Sequence, residues 1–96
     1  MKLSSDLYLV GGGDFNGFGL SNGMDSHIYA IDGGSEISLI DCGMSTDGSV
    51  ERIVANMIID GLDPGKLSKI FLTHYHIDHC GGLSEWQNRF GVEAYI

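Results

Sequence analysis

The sequence predicts an α/β protein in which helices flank a mixed β-sheet. Two observations support this: short β-branched runs alternate with segments of helical apolar spacing, and glycines separate many of these segments. The order is strand, hairpin of two strands, helix, strand, helix, strand, which is expected of a mixed sheet with helices packed on it. At 96 residues, the chain holds one domain at most.

The first half of the chain carries three strand signals. The run "DLYLV" (residues 6–10) precedes a loop, residues 11–23, in which six of 13 residues are glycine. The runs "SHIYAID" (residues 26–32) and "SEISLID" (residues 35–41) flank two glycines, which predicts a hairpin. We interpret the glycine-rich loop as a connection between two antiparallel strands.

Apolar residues at helical spacing predict two helices. In the first, they recur at i, i+3, i+4, i+7, i+8 and i+12, and they are Val50, Ile53, Val54, Met57, Ile58 and Leu62. Ser45 or Thr46 can cap the first turn of this helix. Gly61 can adopt the left-handed conformation that ends a helix, and Pro64 prevents the helix from continuing further. In the second helix the spaced residues are Leu83, Trp86 and Phe90, and Gly91 closes it.

Two further strands complete the prediction. The continuous apolar run "KIFLT" (residues 69–73) is typical of a strand covered on both faces, and it leads into a histidine cluster. Ligands of open α/β sheets bind at the carboxyl ends of strands, where this cluster and "LIDCG" would emerge. The run "VEAYI" (residues 92–96) predicts the last strand. Because it reaches the final residue, we expect a chain that is truncated at Ile96.

The composition narrows the classes of function. Thirteen acidic and five basic residues give a net charge of -8, which disfavours nucleic-acid binding. No apolar run approaches the roughly 18 residues of a membrane span, and no signal peptide is apparent, so we expect a cytoplasmic protein without membrane contact. Cys42 and Cys80 are too few for a disulfide scaffold, and reduced thiols are favoured over a bond between them.

The histidine cluster predicts a metal site. Three of the four histidines and one aspartate occupy six consecutive positions, as His74, His76, Asp78 and His79. In an extended segment His74 and His76 point to the same side and can reach one ion together. Four adjacent donors would crowd one tetrahedral zinc, so the spacing favours two ions, or one ion beside a weaker site. The donors suit Zn²⁺, and Fe, Mn or Co also fit.

Such a site predicts hydrolytic chemistry. A bound metal lowers the pKa of its water to about 7 and supplies a hydroxide nucleophile, and Asp78 is the candidate catalytic proton acceptor. The alternative is that these are surface or capping histidines. Asp41 ends an apolar strand and either orients a metal-bound histidine or simply forms a turn. We interpret Cys80 as a bystander and His27 as a hydrogen-bonded structural residue.

The cluster also resembles a known family. The segment "THYHIDHCGG" (residues 73–82) resembles the HxHxDH motif of the metallo-β-lactamase superfamily, and "HIYAIDGGSEISLIDCGM" (residues 27–44) is similar to its earlier hairpin. The resemblance implies a hydrolase with an αββα sandwich of two similar halves and usually two metal ions. It assigns His74 and His76 to the first metal, and Asp78 and His79 to the second.

The resemblance also implies an incomplete site. The family supplies a later histidine, a bridging aspartate and a final histidine downstream of the motif, and residues 1–96 contain none of them. We therefore expect the N-terminal half of a sandwich, with an apolar sheet face that a missing C-terminal half or a second chain covers. Alone, this half would bind metal weakly and not turn over substrate.

Three functions follow from these observations. The first is a metal-dependent hydrolase whose metal-bound hydroxide attacks a small-molecule ester, thioester, lactone, β-lactam or phosphoester. The second is a noncatalytic metal-binding half-domain that pairs with another chain. The third is an iron-dependent oxidoreductase on the same scaffold.

Overall fold

The computed structural model describes residues 1–13, 20–21, 25–44, 48–73 and 82–96. Within them, five strands form one sheet in the order β1-β2-β3-β4-β5. The elements are β1 (Leu7–Gly11), β2 (Ile28–Asp32), β3 (Ile37–Ile40), α1 (Ser49–Ile59), a 3₁₀ turn (Pro64–Lys66), β4 (Leu67–Phe71), α2 (Leu83–Phe90) and β5 (Glu93–Tyr95). This confirms the predicted α/β fold with a mixed sheet and flanking helices.

The connections determine the direction of each strand. β1 pairs with β2 and β2 with β3 in antiparallel fashion, whereas β3 pairs with β4 and β4 with β5 in parallel. Parallel neighbours need a crossover connection of about a dozen residues or more, and the segments that contain α1 and α2 supply it. The carboxyl ends of β3 and β4 therefore lie at the same edge of the sheet.

The hairpin between β2 and β3 turns through residues 33–36. The Gly33 N–H donates to the Glu36 carbonyl over 2.8 Å, and the Gly34 N–H donates to a carboxylate oxygen of Asp32 over 2.9 Å. Gly34 adopts a φ of 89°, which glycine reaches without steric cost. The predicted hairpin is confirmed, with a longer turn and shorter strands than the two glycines alone suggested.

The first helix ends as predicted. Its N-cap is Gly48, which has no side chain to cap the first turn, and the predicted caps Ser45 and Thr46 lie outside the described residues. At the other end, Gly61 has a φ of 86°. The Leu62 N–H donates to the Met57 carbonyl over 2.8 Å and so closes a Schellman motif.

The second helix agrees with its predicted residues. It spans Leu83–Phe90, and Gly91 follows in the left-handed conformation with a φ of 66°. α1 has 11 residues and α2 has eight. A membrane-spanning helix needs about 20 apolar residues, and none of the helices in the described ranges is long and apolar enough.

Both helices pack against one face of the sheet. The buried apolar side chains of β1 to β4 on this face form one cluster with Val50, Ile53 and Met57 of α1 and with Trp86 of α2. The cluster also contains Ile28 of β2, which is completely buried. We call this face the covered face.

The opposite face carries an apolar row that no described element covers. Register places one residue of each strand side by side across the sheet, namely Leu9, Tyr29, Ile40, Phe71 and Tyr95. Phe71 and Tyr95 are 39% and 40% exposed, and their rings stack with centroids 5.4 Å apart. Within the described residues β4 is therefore covered on one face only, because both helices lie on the same side, and the cover of its other face stays a prediction. We call this the open face.

Candidate metal centre

The predicted metal ligands follow β4 directly. His74, His76, Asp78 and His79 lie outside the described residues, as does Cys80. The structure does describe both flanks of the segment: Thr73, before it, follows β4, and Gly82, after it, is the N-cap of α2. The described ranges contain no group of three or more His, Cys, Asp or Glu side chains that could hold a metal.

The segment leaves the sheet at the carboxyl edge of β4. The Asp41 N–H donates to the Phe71 carbonyl over 2.8 Å, so the chain beyond β3 stays beside the end of β4. The Leu72 N–H donates to the Tyr95 carbonyl over 2.7 Å and extends the pairing with β5 by one residue. Hydrogen bonds from both sides therefore hold the chain in place as far as Leu72, the residue before Thr73. This is the edge at which ligands bind in open α/β sheets.

Asp41 binds the residue that precedes the first predicted ligand. One carboxylate oxygen accepts the Thr73 N–H over 2.8 Å, and the other accepts the Thr73 hydroxyl over 2.6 Å. Asp41 is 4% exposed and has a φ of 64°, a left-handed conformation that aspartate tolerates better than most residues. Both interpretations of Asp41 stay predictions, because the predicted histidine ligands lie outside the described residues. The Asp41 carboxylate fixes the entry to the histidine segment.

The two residues after Asp41 bind the other flank. The Gly43 carbonyl accepts the Gly82 N–H over 2.8 Å, and the Cys42 carbonyl accepts the indole N–H of Trp86 over 3.1 Å. Cys42, Gly43, Gly82 and Trp86 are all buried. We call residues 41–44 the anchoring loop, because it binds both flanks of the predicted metal segment.

Asp25 is a residue of this region that the sequence interpretation missed. It is 7% exposed, and one carboxylate oxygen accepts the Met44 N–H over 2.9 Å. The other oxygen accepts the hydroxyls of Ser21 and Ser49 over 2.5 and 2.6 Å. In sequence, Asp25 stands in a polar stretch beside a glycine-rich loop, where an aspartate normally signals a turn. Only the tertiary fold brings its three partners together.

His27 is placed differently from the prediction. It precedes the first residue of β2 and is exposed, and its ring meets that of Tyr29 edge-on with centroids 6.5 Å apart. A side chain added at Gly12 would approach the His27 ring to 3.0 Å. The described residues thus give His27 a ring contact at the surface and no hydrogen bond, so it is not the hydrogen-bonded structural residue that the sequence predicted.

Tyr95 brings a titratable group to the open face near this edge. Its hydroxyl donates to a carboxylate oxygen of Glu93 over 2.5 Å. This hydrogen bond and the negative charge of Glu93 raise the pKa of the Tyr95 hydroxyl above its ordinary value of 10.0. Tyr95 thus binds Glu93 through its hydroxyl while its ring stacks on Phe71.

Comparison with known proteins identifies the family. Residues 22–96 match the family model described as the metallo-beta-lactamase superfamily. This match covers more than half of the chain, so the chain belongs to that superfamily. The resemblance inferred from the histidine segment and the hairpin is thereby confirmed at the level of the family.

Two relatives are similar in sequence. "Probable metallo-hydrolase YybB" from Bacillus subtilis (strain 168) is 33% identical over 69 residues, which cover 72% of this chain and 29% of the relative. "Ribonuclease Z" from Pyrococcus furiosus is 44% identical over 73 residues, which cover 69% of this chain and 22% of the relative. The matched part of the chain thus spans less than a third of either relative.

Solved structures agree on the fold. A class B3 di-zinc metallo-beta-lactamase from an Alaskan soil metagenome superposes with a TM-score of 0.76 at 19% identity, covering 97% of this chain and 30% of that chain. A subclass B3 metallo-beta-lactamase of Bradyrhizobium japonicum gives a TM-score of 0.63 at 26% identity, covering 71% of this chain and 25% of that chain. The five-stranded sheet and its helices are therefore a fold found within this family.

Proposed function

We propose that this chain is the N-terminal part of a metal-dependent hydrolase of the metallo-β-lactamase type. The observation that supports it best is the anchoring loop, which fixes both flanks of the histidine segment at the carboxyl edge of the sheet. A segment of three histidines and one aspartate held at that edge is suited to binding metal ions. The relatives named as a metallo-hydrolase and a ribonuclease support hydrolysis as the reaction class.

The donor chemistry of the segment fits a metal. His74 and His76 would hold a first ion, and Asp78 and His79 would hold a second, by analogy with the family motif. Imidazole and carboxylate donors suit zinc, with iron or manganese as alternatives. When bound, such ions supply an activated water molecule and polarise the bond under attack.

The remaining steps depend on residues of the chain itself. The Asp78 carboxylate would accept the proton of the attacking water and return it to the leaving group. Asp41 would act at a distance, because its two hydrogen bonds hold Thr73, the residue before His74. Held flanks reduce the entropy that the segment loses when its side chains converge on metal.

Two substrate classes compete. A relative named as a ribonuclease favours a phosphoester. The net charge of -8 disfavours a polyanionic substrate and favours a small ester, thioester, lactone or β-lactam. We propose a small-molecule substrate, and a panel of chromogenic carboxylic esters, thioesters, β-lactams and phosphodiesters would distinguish the two classes.

The exposed apolar row of the open face indicates that this chain needs a partner that covers it. Its apolar row crosses all five strands, and a row of this kind marks a surface that binds another protein segment. We propose that a C-terminal half or a second chain covers it and completes the metal site. The 96-residue chain alone would then bind metal weakly and be inactive.

Two measurements test this proposal. The gene is read beyond codon 96, where a further histidine and a bridging aspartate are expected. A stop codon would favour a noncatalytic half-domain that pairs with another chain. The longer product is then assayed against the substrate panel. We expect hydrolysis that a chelator abolishes and zinc restores, and hydrolysis that survives the chelator would contradict the proposal.

A further inference from the structure

Asp25 lies at a junction of three segments. Its carboxylate accepts hydrogen bonds from Ser21 in the segment before β2, from Ser49 at the start of α1, and from the Met44 backbone. The Ser21 hydroxyl in turn accepts the Gly12 N–H over 3.0 Å, so the base of the glycine-rich loop joins the same network. A carboxylate that accepts several hydrogen bonds in a buried place specifies the arrangement of the groups around it.

Gly43 shows how closely the anchoring loop fits Asp25. A Cβ at Gly43 would lie 2.7 Å from an Asp25 carboxylate oxygen and 3.1 Å from the side chain of Ile28. Gly43 also has a φ of 72°, which a residue with a side chain adopts only with strain. The loop therefore packs directly on Asp25, and its backbone has little room for another position.

Gly43 also binds Gly82, which follows the histidine segment and which we call its exit. The Gly43 carbonyl accepts the Gly82 N–H, and Met44, the next residue, donates its own N–H to Asp25. Gly82 follows His79 by three residues in sequence. A short path of contacts thus runs from Asp25 through Gly43 to the exit, whereas Asp41 binds Thr73 at the entry.

We propose that Asp25 is a positioning residue for metal binding, acting through the anchoring loop on Gly82. This inference rests on the proposed function, since it assigns a metal to the segment between Thr73 and Gly82. The described hydrogen bonds of Asp25 reach the anchoring loop at Met44, and the anchoring loop in turn binds Gly82. Asp41 and Asp25 then control the entry and the exit of the segment separately.

The test compares variants at Asp25 with a matched control. Asp25→Ala removes the acceptor of the Met44 N–H, and Asp25→Asn keeps an acceptor for it. The control is Asp63→Ala, because Asp63 also accepts a backbone N–H, from Gly65 over 2.8 Å, in the exposed turn before β4. Ser49→Ala provides a milder perturbation that removes one donor to Asp25, for use if Asp25→Ala does not fold.

Two readouts are needed. The first is hydrogen exchange, by NMR, at the Gly82 amide and at the indole N–H of Trp86, the single tryptophan of the chain. The second is zinc affinity by competition with a chromogenic chelator. For Asp25→Ala we expect faster exchange at both groups and a loss of zinc affinity of about tenfold. Asp25→Asn should recover part of both effects, and Asp63→Ala should match the wild type.

Each outcome decides the proposal. Unchanged exchange in Asp25→Ala, or in Ser49→Ala if only that variant folds, would overturn the positioning of the loop. Faster exchange with unchanged zinc affinity would overturn the link from the loop to the metal. If the wild-type chain bound no zinc at all, the proposed function would fail together with that link, while the exchange data would still decide whether Asp25 fixes the loop.

Discussion

The two faces of the sheet differ in how completely the described chain covers them. Ile28 and Ile31 belong to the same strand and have the same side chain, yet Ile28 is completely buried on the covered face and Ile31 is 37% exposed on the open face. Both faces are apolar, but the helices cover only one of them. Burial on the covered face therefore stabilises the fold of this chain, whereas the open face is left for a covering partner.

The largest effect should come from changing these two isoleucines. Ile28→Ala creates a cavity in the core and should lower the free energy of unfolding by about 2–5 kcal/mol. Ile31→Ala removes a partly exposed side chain and should cost about 1 kcal/mol. Urea unfolding followed by the fluorescence of Trp86 measures both. Equal losses for the two variants would mean that the faces do not differ as described.

The buried carboxylate of Asp41, in the anchoring loop, should have the next largest effect. Asp41→Ala removes two hydrogen bonds to a carboxylate and should destabilise the chain by about 2–4 kcal/mol. Asp41→Asn should cost less, because asparagine tolerates the positive φ and keeps one acceptor. The same urea experiment measures the effect, with Asp32→Ala in the exposed hairpin turn as the control. A loss no greater than that of the control would contradict a structural role for Asp41.

A charged side chain introduced on the open face should change the self-association of the chain more than its folding. Phe71→Lys places an ammonium group in the apolar row and should weaken self-association at least about tenfold, since an unpaired charge is costly to bury. Sedimentation velocity across a concentration series, with and without zinc, measures this. Ile59→Lys is the control, because Ile59 is 80% exposed on α1, away from the row. A wild-type chain that stays monomeric in both conditions would leave self-pairing unsupported.

The smallest effect concerns a surface carboxylate. Hydrogen bonds from the Ser68 hydroxyl and the Lys69 ammonium, together with the charge of Lys69, hold the pKa of Glu36 below its ordinary value of 4.5. A lowered folded-state pKa stabilises the chain above the unfolded pKa, and the gain is lost as pH falls through the folded pKa. Glu36→Gln should therefore lower the urea midpoint slightly at pH 7 and not at pH 3. A larger effect at pH 3 would contradict this sign.

Local sequence patterns predicted the helices and their ends well where a conformation strongly favours one type of residue, as the left-handed conformation favours glycine. Gly61 and Gly91 end their helices in the left-handed conformation as expected, and the apolar spacing of α1 matches its buried side chains. The N-cap Gly48 was not predicted, because nothing in the apolar periodicity distinguishes it from Ser45 or Thr46. What covers Phe71 was not predictable either, because a continuous apolar run does not reveal whether the chain itself supplies the second layer.

The metal site stays a prediction, because its ligands lie outside the described residues. The crowding of His74, His76, Asp78 and His79 is visible in the sequence itself. The role of Asp25 was not predictable, because its partners at positions 21, 44 and 49 come together only through folding. Asp41 was noticed because an aspartate at the end of an apolar strand is unusual, and the structure gives it the partner Thr73.

The central claim is that the segment between Thr73 and Gly82 binds metal. Zinc content measured after dialysis against a defined zinc buffer, for the wild-type chain and for His76→Ala, tests this most directly. We expect zinc in the wild type and a clear loss in His76→Ala, while Asp63→Ala retains the wild-type content. Equal zinc in the wild type and in His76→Ala would contradict the claim and place any bound metal elsewhere.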